Sequence, residues 1–145
     1  MNKNKKKNIK ISTYIVNKRE KSQQSWQPQT KIQLKTAVNL WINNNTSAMS
    51  NYGDINTWDV SKITDMSLLF SNKTTFNSDI GSWDTSKVTN MYGMFNKASS
   101  FNQDIGSWNT YRVTNMMFMF SNASNFNNGE GPGNSNKPLD SWDTS

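Results

Sequence analysis

The chain has 145 residues, enough for about one domain, and its mean hydropathy of -0.83 is low for a compact globule. It contains no Cys and no His, which excludes disulfides, thiolate metal sites and Ser-His-Asp catalysis. The formal net charge of +6 is unevenly divided, because residues 1–53 hold ten Lys/Arg against Glu20 alone, while the remainder holds six basic residues against nine acidic ones.

Residues 1–31 are rich in Lys, Asn, Gln and Ser. A segment of this composition buries too little apolar surface to offset its chain entropy, so we expect a basic disordered tail. It has two interpretations: a compositional bias of the genome, or a contact with acidic polymers such as nucleic acid. The start lacks the apolar core of a signal peptide, and no stretch reaches the roughly 18 apolar residues of a membrane span.

Residues 32–53 predict a helical N-terminal cap. Apolar residues fall at helical spacing over about two turns, at Leu34, Ala37, Val38, Trp41 and Ile42. The pair Tyr52-Gly53 gives a turn signal that ends the segment. Because the helix directly precedes the repeats, we expect it to cover the apolar interior of the first one.

Residues 54–145 consist of copies of one 25-residue unit, which start at Trp58, Trp83, Trp108 and, as an opening WDTS, Trp142. A fixed period of this length is typical of repeat proteins, whose stacked copies bury a core that no single copy can form. Nine extra residues, 129–137, interrupt the third copy, and their Gly, Pro and Asn content predicts a surface loop. We expect either a fragment of a longer array or an exposed end of the core.

Two kinds of spacing alternate within each unit. Met91, Met94 and Phe95 lie at i, i+3 and i+4, which predicts a short helix. The return leg, 101–108, contains Ile and Trp but is interrupted by Gly, which predicts a brief strand pairing in parallel with its equivalents. The predicted fold is an α/β repeat solenoid with about three 25-residue turns behind an N-terminal capping helix.

The recurring apolar positions predict ladders of core side chains. These structural ladders comprise Trp58, Trp83, Trp108, Trp142, Met66, Met91, Met116, Phe70, Phe95, Phe120, Phe76, Phe101, Phe126, Ile80, Ile105 and Leu139. Trp, Met and Phe at repeat spacing are core material rather than a cofactor site. A further column, Asn77, Asn102 and Asn127, predicts an inward ladder that satisfies loop backbone.

Two columns of acidic residues also recur. They are Asp54, Asp79 and Asp104 in one, and Asp59, Asp84 and Asp143 in the other, which Asn109 interrupts. Stacked carboxylates could bind Ca²⁺, but Asp at such positions also accepts backbone N–H bonds in turns, which is the interpretation we favour. We therefore predict no catalytic residue, no metal site and no cofactor.

The string W-D-[TV]-S-K-[VI]-T-[ND]-M-x-x-[ML]-F, followed by F-N-x-D-I-G-S-W, closely resembles the repeats of BspA-like surface proteins, also described as a mycoplasma-type lipoprotein repeat family. The resemblance covers about residues 54–145, and the lead-in at 37–61 looks like the entry segment of such arrays. It implies a right-handed leucine-rich-repeat-like solenoid with a role in adhesion or protein binding, at the cell surface or in secreted form.

The sequence therefore predicts a non-catalytic module that binds a protein or glycan, with no enzyme activity. Three polar columns would present the regular binding surface: Thr64, Thr89 and Thr114; Ser61, Ser86 and Tyr111; Lys62, Lys87 and Arg112. Two alternatives stay open. One is an intracellular or virion-associated scaffold whose basic tail contacts nucleic acid or acidic protein, and the other is a truncated repeat paralogue without a partner.

Overall fold

The computed structural model of the protein describes residues 25–129 and residue 142. An irregular segment, 25–30, leads into helix α1 over Lys31–Asn43, helix α2 over Asn45–Tyr52 and a short 3₁₀ turn over Ile55–Thr57. Within the described ranges there is no further helix and no strand. The repeats are instead built from consecutive turns.

The two helices are separated at Asn44, where the sequence predicts one continuous helical segment. Thr30 caps α1, because its Oγ1 accepts a hydrogen bond from the Gln33 N–H at 3.2 Å. Asn44 ends α1 and starts α2, since its side-chain Oδ1 accepts from the Ser47 N–H at 3.0 Å. A side-chain amide that bonds the backbone in this way competes with helix continuation.

Helix α1 packs on the first repeat. Its Leu34, Ala37 and Val38 are fully buried and share one apolar cluster with Trp58. Trp41 packs edge-on against Trp58, with ring centroids 6.0 Å apart, and donates from its Nε1 to Ser78 Oγ at 2.9 Å. The helix therefore covers apolar side chains at the start of the repeats.

The end of the predicted tail also contacts the first repeat. Trp26 lies 4.4 Å from the Tyr52 ring and 5.0 Å from the Trp58 ring, and its carbonyl accepts from the Asp59 N–H at 3.0 Å. Lys31 forms an ion pair with Asp65 at 3.0 Å. The remainder of the tail, 1–24, lies outside the described residues, as do Leu139 and the insertion beyond Gly129.

The repeats stack so that equivalent aromatic rings lie in columns. Phe95 lies between Phe70 and Phe120, with centroids 5.2 and 5.6 Å away and ring planes within 4° of parallel. Phe101 lies in the same way between Phe76 and Phe126, at 5.8 and 5.7 Å. Offset-stacked rings at such distances add to the stabilisation from burial.

The indole N–H groups of three tryptophans link parts of the chain that lie 28 to 37 residues apart. The Trp83 and Trp108 indole N–H groups donate to the backbone carbonyls of Ile55 and Ile80, at 2.8 and 3.2 Å. Trp142 donates to the carbonyl of Ile105 at 3.3 Å. Each indole thus finds the polar partner that its buried N–H needs.

A backbone ladder also joins consecutive units. Alternate N–H groups of one unit donate to carbonyls of the next at 2.7–2.9 Å; the donors are Met66, Leu68, Phe70 and Asn72, then Met91, Gly93, Phe95 and Lys97. The intervening N–H groups donate three residues back within their own unit, as in Met94 to Met91 at 3.1 Å. The only bridges among the described residues are isolated and parallel, Asp65 with Asn90 and Asn90 with Asn115.

The predicted helix in each unit is wrong. The segment that the spacing predicts to be helical contains two residues with left-handed backbone, four positions apart: Leu68 and Asn72 in the first unit, with φ of 57° and 60°. The second and third units repeat this at Gly93 and Lys97 and at Phe118 and Asn122. A left-handed residue interrupts a right-handed helix, so the chain forms linked three-residue turns.

The predicted parallel strand is also wrong, and with it the α/β repeat solenoid. In the return leg the Ile105 N–H donates to the side chain of Asn128 at 2.9 Å, and the Gly106 N–H donates to the Asp104 carboxylate at 3.0 Å. The Trp108 N–H closes a turn on the Ile105 carbonyl at 3.1 Å. Because side chains and turns use these donors, no strand ladder forms along the leg.

The asparagine column lies at the surface instead of pointing inward. The Asn102 N–H donates to Asn77 Oδ1 at 2.8 Å, and the Asn127 N–H donates to Asn102 Oδ1 at 2.7 Å. Asn77 and Asn127 are exposed. The column therefore does satisfy loop backbone, but from the outer side of the stack.

Candidate functional site

Most of the proposed core ladder lies in one buried cluster. Its fully or almost fully buried members are Trp58, Trp83, Trp108, Met66, Met91, Phe70, Phe95, Phe76, Phe101, Ile80 and Ile105. The last unit is less covered, and Met116, Phe120, Phe126 and Trp142 pack against the cluster while only partly buried. These residues form the interior, so a binding site has to be sought among the outward side chains.

Three columns of Asp and Asn close turns. In each of nine residues Oδ1 accepts from the backbone N–H two positions later, at 2.7–3.1 Å; the nine are Asp54, Asp59, Asp65, Asp79, Asp84, Asn90, Asp104, Asn109 and Asn115. Asn serves at the same positions as Asp, so the turn needs an oxygen acceptor and not a charge. Within residues 25–129 no three acidic side chains come together as a metal site would require.

The turn hydrogen bonds lower the pKa of three of these carboxyl groups. For Asp59 and Asp84 the largest causes of the lowered pKa are the side-chain hydrogen bonds from Ser61 and Ser86, with a smaller attraction from Lys62 and Lys87. For Asp65, partial burial raises the pKa, but hydrogen bonds from Ser67 and the ammonium group of Lys31 outweigh it, and the net pKa is lowered. All three stay ionised near neutral pH.

We call the outward side chains of residues 61–68, 86–93 and 111–118 the ladder face, because they flank the hydrogen-bonded ladder. The polar columns expected from the sequence lie here. Thr64, Thr89 and Thr114 are exposed, and the Thr89 and Thr114 hydroxyls each donate to the Thr carbonyl of the preceding unit at 3.1 Å. The cations Lys62, Lys87 and Arg112 are exposed beside them.

The ladder face also carries apolar side chains, of which the sequence analysis named only Tyr111. Six large hydrophobic side chains are exposed in the described part of the chain, and four of them are on this face: Leu68, Tyr111, Met117 and Phe118, at 42, 77, 61 and 55%. The signal was present, since Tyr92, Met117 and Phe118 replace polar or small residues of other units. The sequence analysis did not identify these residues as exposed, because they alternate with core positions in the same short segment.

These apolar groups contact one another across units. Phe118 packs edge-on against the Tyr92 ring, with centroids 5.8 Å apart. Leu68 lies over Gly93, where an added Cβ would come within 2.8 Å of the Leu68 side chain. These contacts place apolar side chains of neighbouring units next to each other, and grouped exposed hydrophobics mark an interaction surface more often than single ones do.

A concave region also lies beside the helices. It is a cleft of about 360 Å³, lined by Trp26, Gln27, Gln29, Ile32, Gln33, Thr36 and Tyr52. Its lining combines two aromatic rings with amide and hydroxyl groups and contains no charged side chain. Such a mixture suits a neutral polar ligand.

Neither described helix is long and apolar enough to cross a bilayer. No curated protein and no solved structure matches the chain. A family model described as "Mycoplasma protein of unknown function, DUF285" matches residues 36–145. Since the match spans well over half of the sequence, the chain belongs to this Mycoplasma repeat-type family of unknown function.

Proposed function

We propose that this protein is a non-catalytic binding module that holds a protein partner on the ladder face. The observation that carries the proposal is the concentration of four of the six exposed large hydrophobic side chains on this one face. The backbone beneath them is fixed by hydrogen bonds between units at 2.7–2.9 Å. A rigid apolar surface loses little conformational entropy when a partner binds.

The third unit is the expected centre of binding. It presents Tyr111, Arg112, Met117 and Phe118 together, and Tyr and Arg are among the residues that dominate binding energies at interfaces. In the first two units Asp59 and Asp84 attract the neighbouring Lys, but the third unit has Asn109 at that position. Within its own unit Arg112 therefore has Asn109 in place of that carboxylate, and we expect the partner to supply an acidic group next to an apolar side chain.

Catalysis is not part of the proposal. The chain has neither His nor Cys, and its Asp columns occupy almost the same turn environment in each unit. Acid/base pairs need different environments to separate their pKa values. We also propose a cell-surface setting, with adhesion as the role of binding, and this rests on the resemblance to BspA-like surface proteins alone.

A random peptide library displayed on phage tests the ladder face. We expect selection on the full chain to enrich peptides that combine Asp or Glu with an aromatic or aliphatic residue. Their affinity, measured by titration calorimetry, should fall about tenfold in Met117→Ser and in Arg112→Gln, since a lost hot-spot contact costs on the order of 1–2 kcal/mol. Ile32→Ser is the matched control, because Ile32 is also exposed but lies on α1.

The selection contradicts the proposal in either of two outcomes. One is that no peptide family is enriched on the folded chain. The other is that enriched peptides bind the Met117→Ser and Arg112→Gln variants as tightly as the unmodified protein. Circular dichroism of each variant distinguishes a lost contact from a lost fold.

A glycan is the second candidate ligand, and the cleft beside α1 favours it. Trp26 and Tyr52 offer aromatic faces for sugar rings, while Gln33 and Thr36 offer hydrogen-bonding groups. Binding on a glycan array that is lost in Gln33→Ala but retained in Met117→Ser would support this candidate. Array binding that responds to neither substitution would oppose both sites.

A further inference from the structure

The sequence contains a single Asn-Gly pair, Asn128-Gly129, where the nine-residue insertion begins. Asn is a chemically labile residue. It deamidates when the backbone nitrogen of the following residue attacks its side-chain amide carbon, and a following Gly favours this attack because it has no side chain to hinder that nitrogen. By sequence, this pair is therefore the position at which the chain deamidates most readily.

The fold holds both reacting groups in hydrogen bonds. Asn128 is only 3% exposed, and its Oδ1 accepts from the Ile105 N–H at 2.9 Å. The Gly129 N–H, whose nitrogen is the attacking atom, donates to Asn102 Oδ1 at 3.1 Å. The reaction therefore requires Gly129 to leave Asn102 and the Asn128 side chain to turn away from Ile105.

The backbone of the pair is also closely packed. Both residues have left-handed backbone, with φ of 49° at Asn128 and 82° at Gly129. A Cβ added at Gly129 would lie 2.8 Å from the backbone nitrogen of Asp104 and 3.0 Å from its Cβ. Since the ring formed in deamidation joins the Asn128 side chain to the Gly129 nitrogen, it needs a rotation for which the folded segment leaves no room.

The products of deamidation fit this place less well than Asn. Aspartate would put a charge on a side chain that is 3% exposed, which carries a desolvation cost. It would also add a second carboxylate close to Asp104, against which Gly129 packs. Isoaspartate would lengthen the main chain by one methylene at the same close contact. The folded state therefore disfavours both products.

We propose that Asn128-Gly129 is a deamidation site that the folded third unit protects, and that deamidation follows local opening of this unit and then keeps it open. The Gly129 nitrogen bonds to Asn128 Cγ, the Cγ–Nδ2 bond breaks, and Nδ2 leaves as ammonia with the proton from Gly129. Water then opens the cyclic imide at either carbonyl and gives aspartate or isoaspartate. The rate follows the population of the open state, and the product does not return to Asn, so the change is permanent.

The first test compares the full chain with a synthetic peptide of residues 124–133 in the same mildly alkaline buffer. Mass spectrometry of proteolytic fragments follows the conversion of residue 128, and labelling by an isoaspartyl methyltransferase identifies isoaspartate. We expect the full chain to react at least about tenfold more slowly than the peptide, because only its open fraction reacts. Equal rates would overturn the proposal.

A pair of variants locates the protection. Asn102→Ala removes the acceptor of the Gly129 N–H, and the full chain should then deamidate about threefold to tenfold faster, as expected for the loss of one hydrogen bond. Asn90→Ala is the matched control, because Asn90 Oδ1 also accepts from a backbone N–H, that of Tyr92 at 3.0 Å, but in the second unit. An unchanged rate in Asn102→Ala, or an equal increase in Asn90→Ala, would contradict the proposed protection.

A further pair tests whether the product keeps the unit open. Asn128→Asp reproduces one product and should speed hydrogen exchange at the Ile105 amide about tenfold or more, with a lower midpoint of thermal unfolding. Asn127→Asp makes the same change at the neighbouring exposed side chain and should leave both measurements as in the unmodified protein. If the two variants behave alike, deamidation does not hold the unit open.

Discussion

The conformation of each repeat depends on left-handed backbone at residues other than Gly. Leu68, Lys97 and Phe118 have φ of 57–59°, a region that usually favours Gly and costs other residues about 1–2 kcal/mol each. Each of them reverses the local turn, so that successive N–H groups point alternately into the unit and toward the next. This backbone strain accompanies an arrangement in which N–H groups form hydrogen bonds both within a unit and to the next unit.

Lys97→Gly should stabilise the protein. Lys97 is exposed and has φ of 59°, so the substitution removes left-handed strain and little packing. The gain is offset by the greater chain entropy of Gly, and we expect a net increase of about 0.5–1 kcal/mol in the free energy of unfolding by urea denaturation. Lys87→Gly is the control, since Lys87 is exposed without a positive φ and should lose stability instead. A destabilised Lys97→Gly would contradict the strain argument.

The sequence predicts burial better than backbone conformation at this scale. The 25-residue period identifies Trp, Met and Phe side chains that share environments, because burial depends on repeat position. The sign of φ at Leu68, Lys97 and Phe118 has no such signal, since these residue types rarely adopt it. Gly93, Asn72 and Asn122 carried a hint, because Gly and Asn tolerate left-handed backbone.

The two helices are the elements closest to what the sequence indicates. Their apolar face follows the helical period, and Leu34, Ala37 and Val38 are buried as that period implies. The break at Asn44 could have been found from the run Asn43-Asn44-Asn45, because Asn favours caps over helix interiors. The apolar spacing on either side of that run conceals the break, since it continues across it.

Asn44→Ala should destabilise this end of the molecule. The substitution removes the side-chain acceptor for the Ser47 N–H at the start of α2. Loss of such a cap costs about 1 kcal/mol, measurable as a lower midpoint of thermal unfolding. Asn43→Ala is the matched control, because Asn43 is the last residue of α1 and Ala is the better helix former. Equal effects of the two substitutions would show that Asn44 has no special capping role.

The failed prediction of helices in the repeats has a physical cause. Residues three and four apart lie on one side of an α-helix, but linked three-residue turns also bring i and i+3 to the same side. Met91 and Met94 illustrate this, as the Met94 N–H bonds the Met91 carbonyl and both side chains are fully buried. Apolar spacing alone cannot separate the two structures, so the hydrogen bonds between units decide.

For the whole molecule, the Asp columns make stability depend on acid pH. The pKa values of Asp59, Asp65 and Asp84 are lowered from an ordinary value of 3.8. A carboxyl group whose pKa is lowered by folding stabilises the folded state at pH values above its unfolded-state pKa. That stabilisation is lost as the pH falls through the lowered pKa of the folded state. We expect the thermal midpoint to be flat between about pH 7 and pH 5 and to fall below about pH 4.

Asp84→Asn separates the charge from the turn. Asn109 closes the equivalent turn in the third unit with a bond of 3.1 Å, so an amide in place of the Asp84 carboxylate should keep the fold at neutral pH. The variant should lose part of the acid sensitivity, with a smaller fall in thermal midpoint below about pH 4. A midpoint that stays constant to about pH 2 in the unmodified chain would show that these carboxylates contribute nothing to stability.

Bonds between matching positions of consecutive units also bear on how such a gene can change. When a stretch of DNA encoding one whole unit is duplicated or lost, every remaining donor still meets the acceptor one period away, as Phe70 meets Met94 and Phe95 meets Met119. A shift by a single codon within a bonded segment, such as 66–72 or 91–97, would move its donors off their acceptors. Recombination in whole periods therefore keeps the ladder in register, and the nine-residue insertion at 129–137 lies outside the segments that the ladder joins.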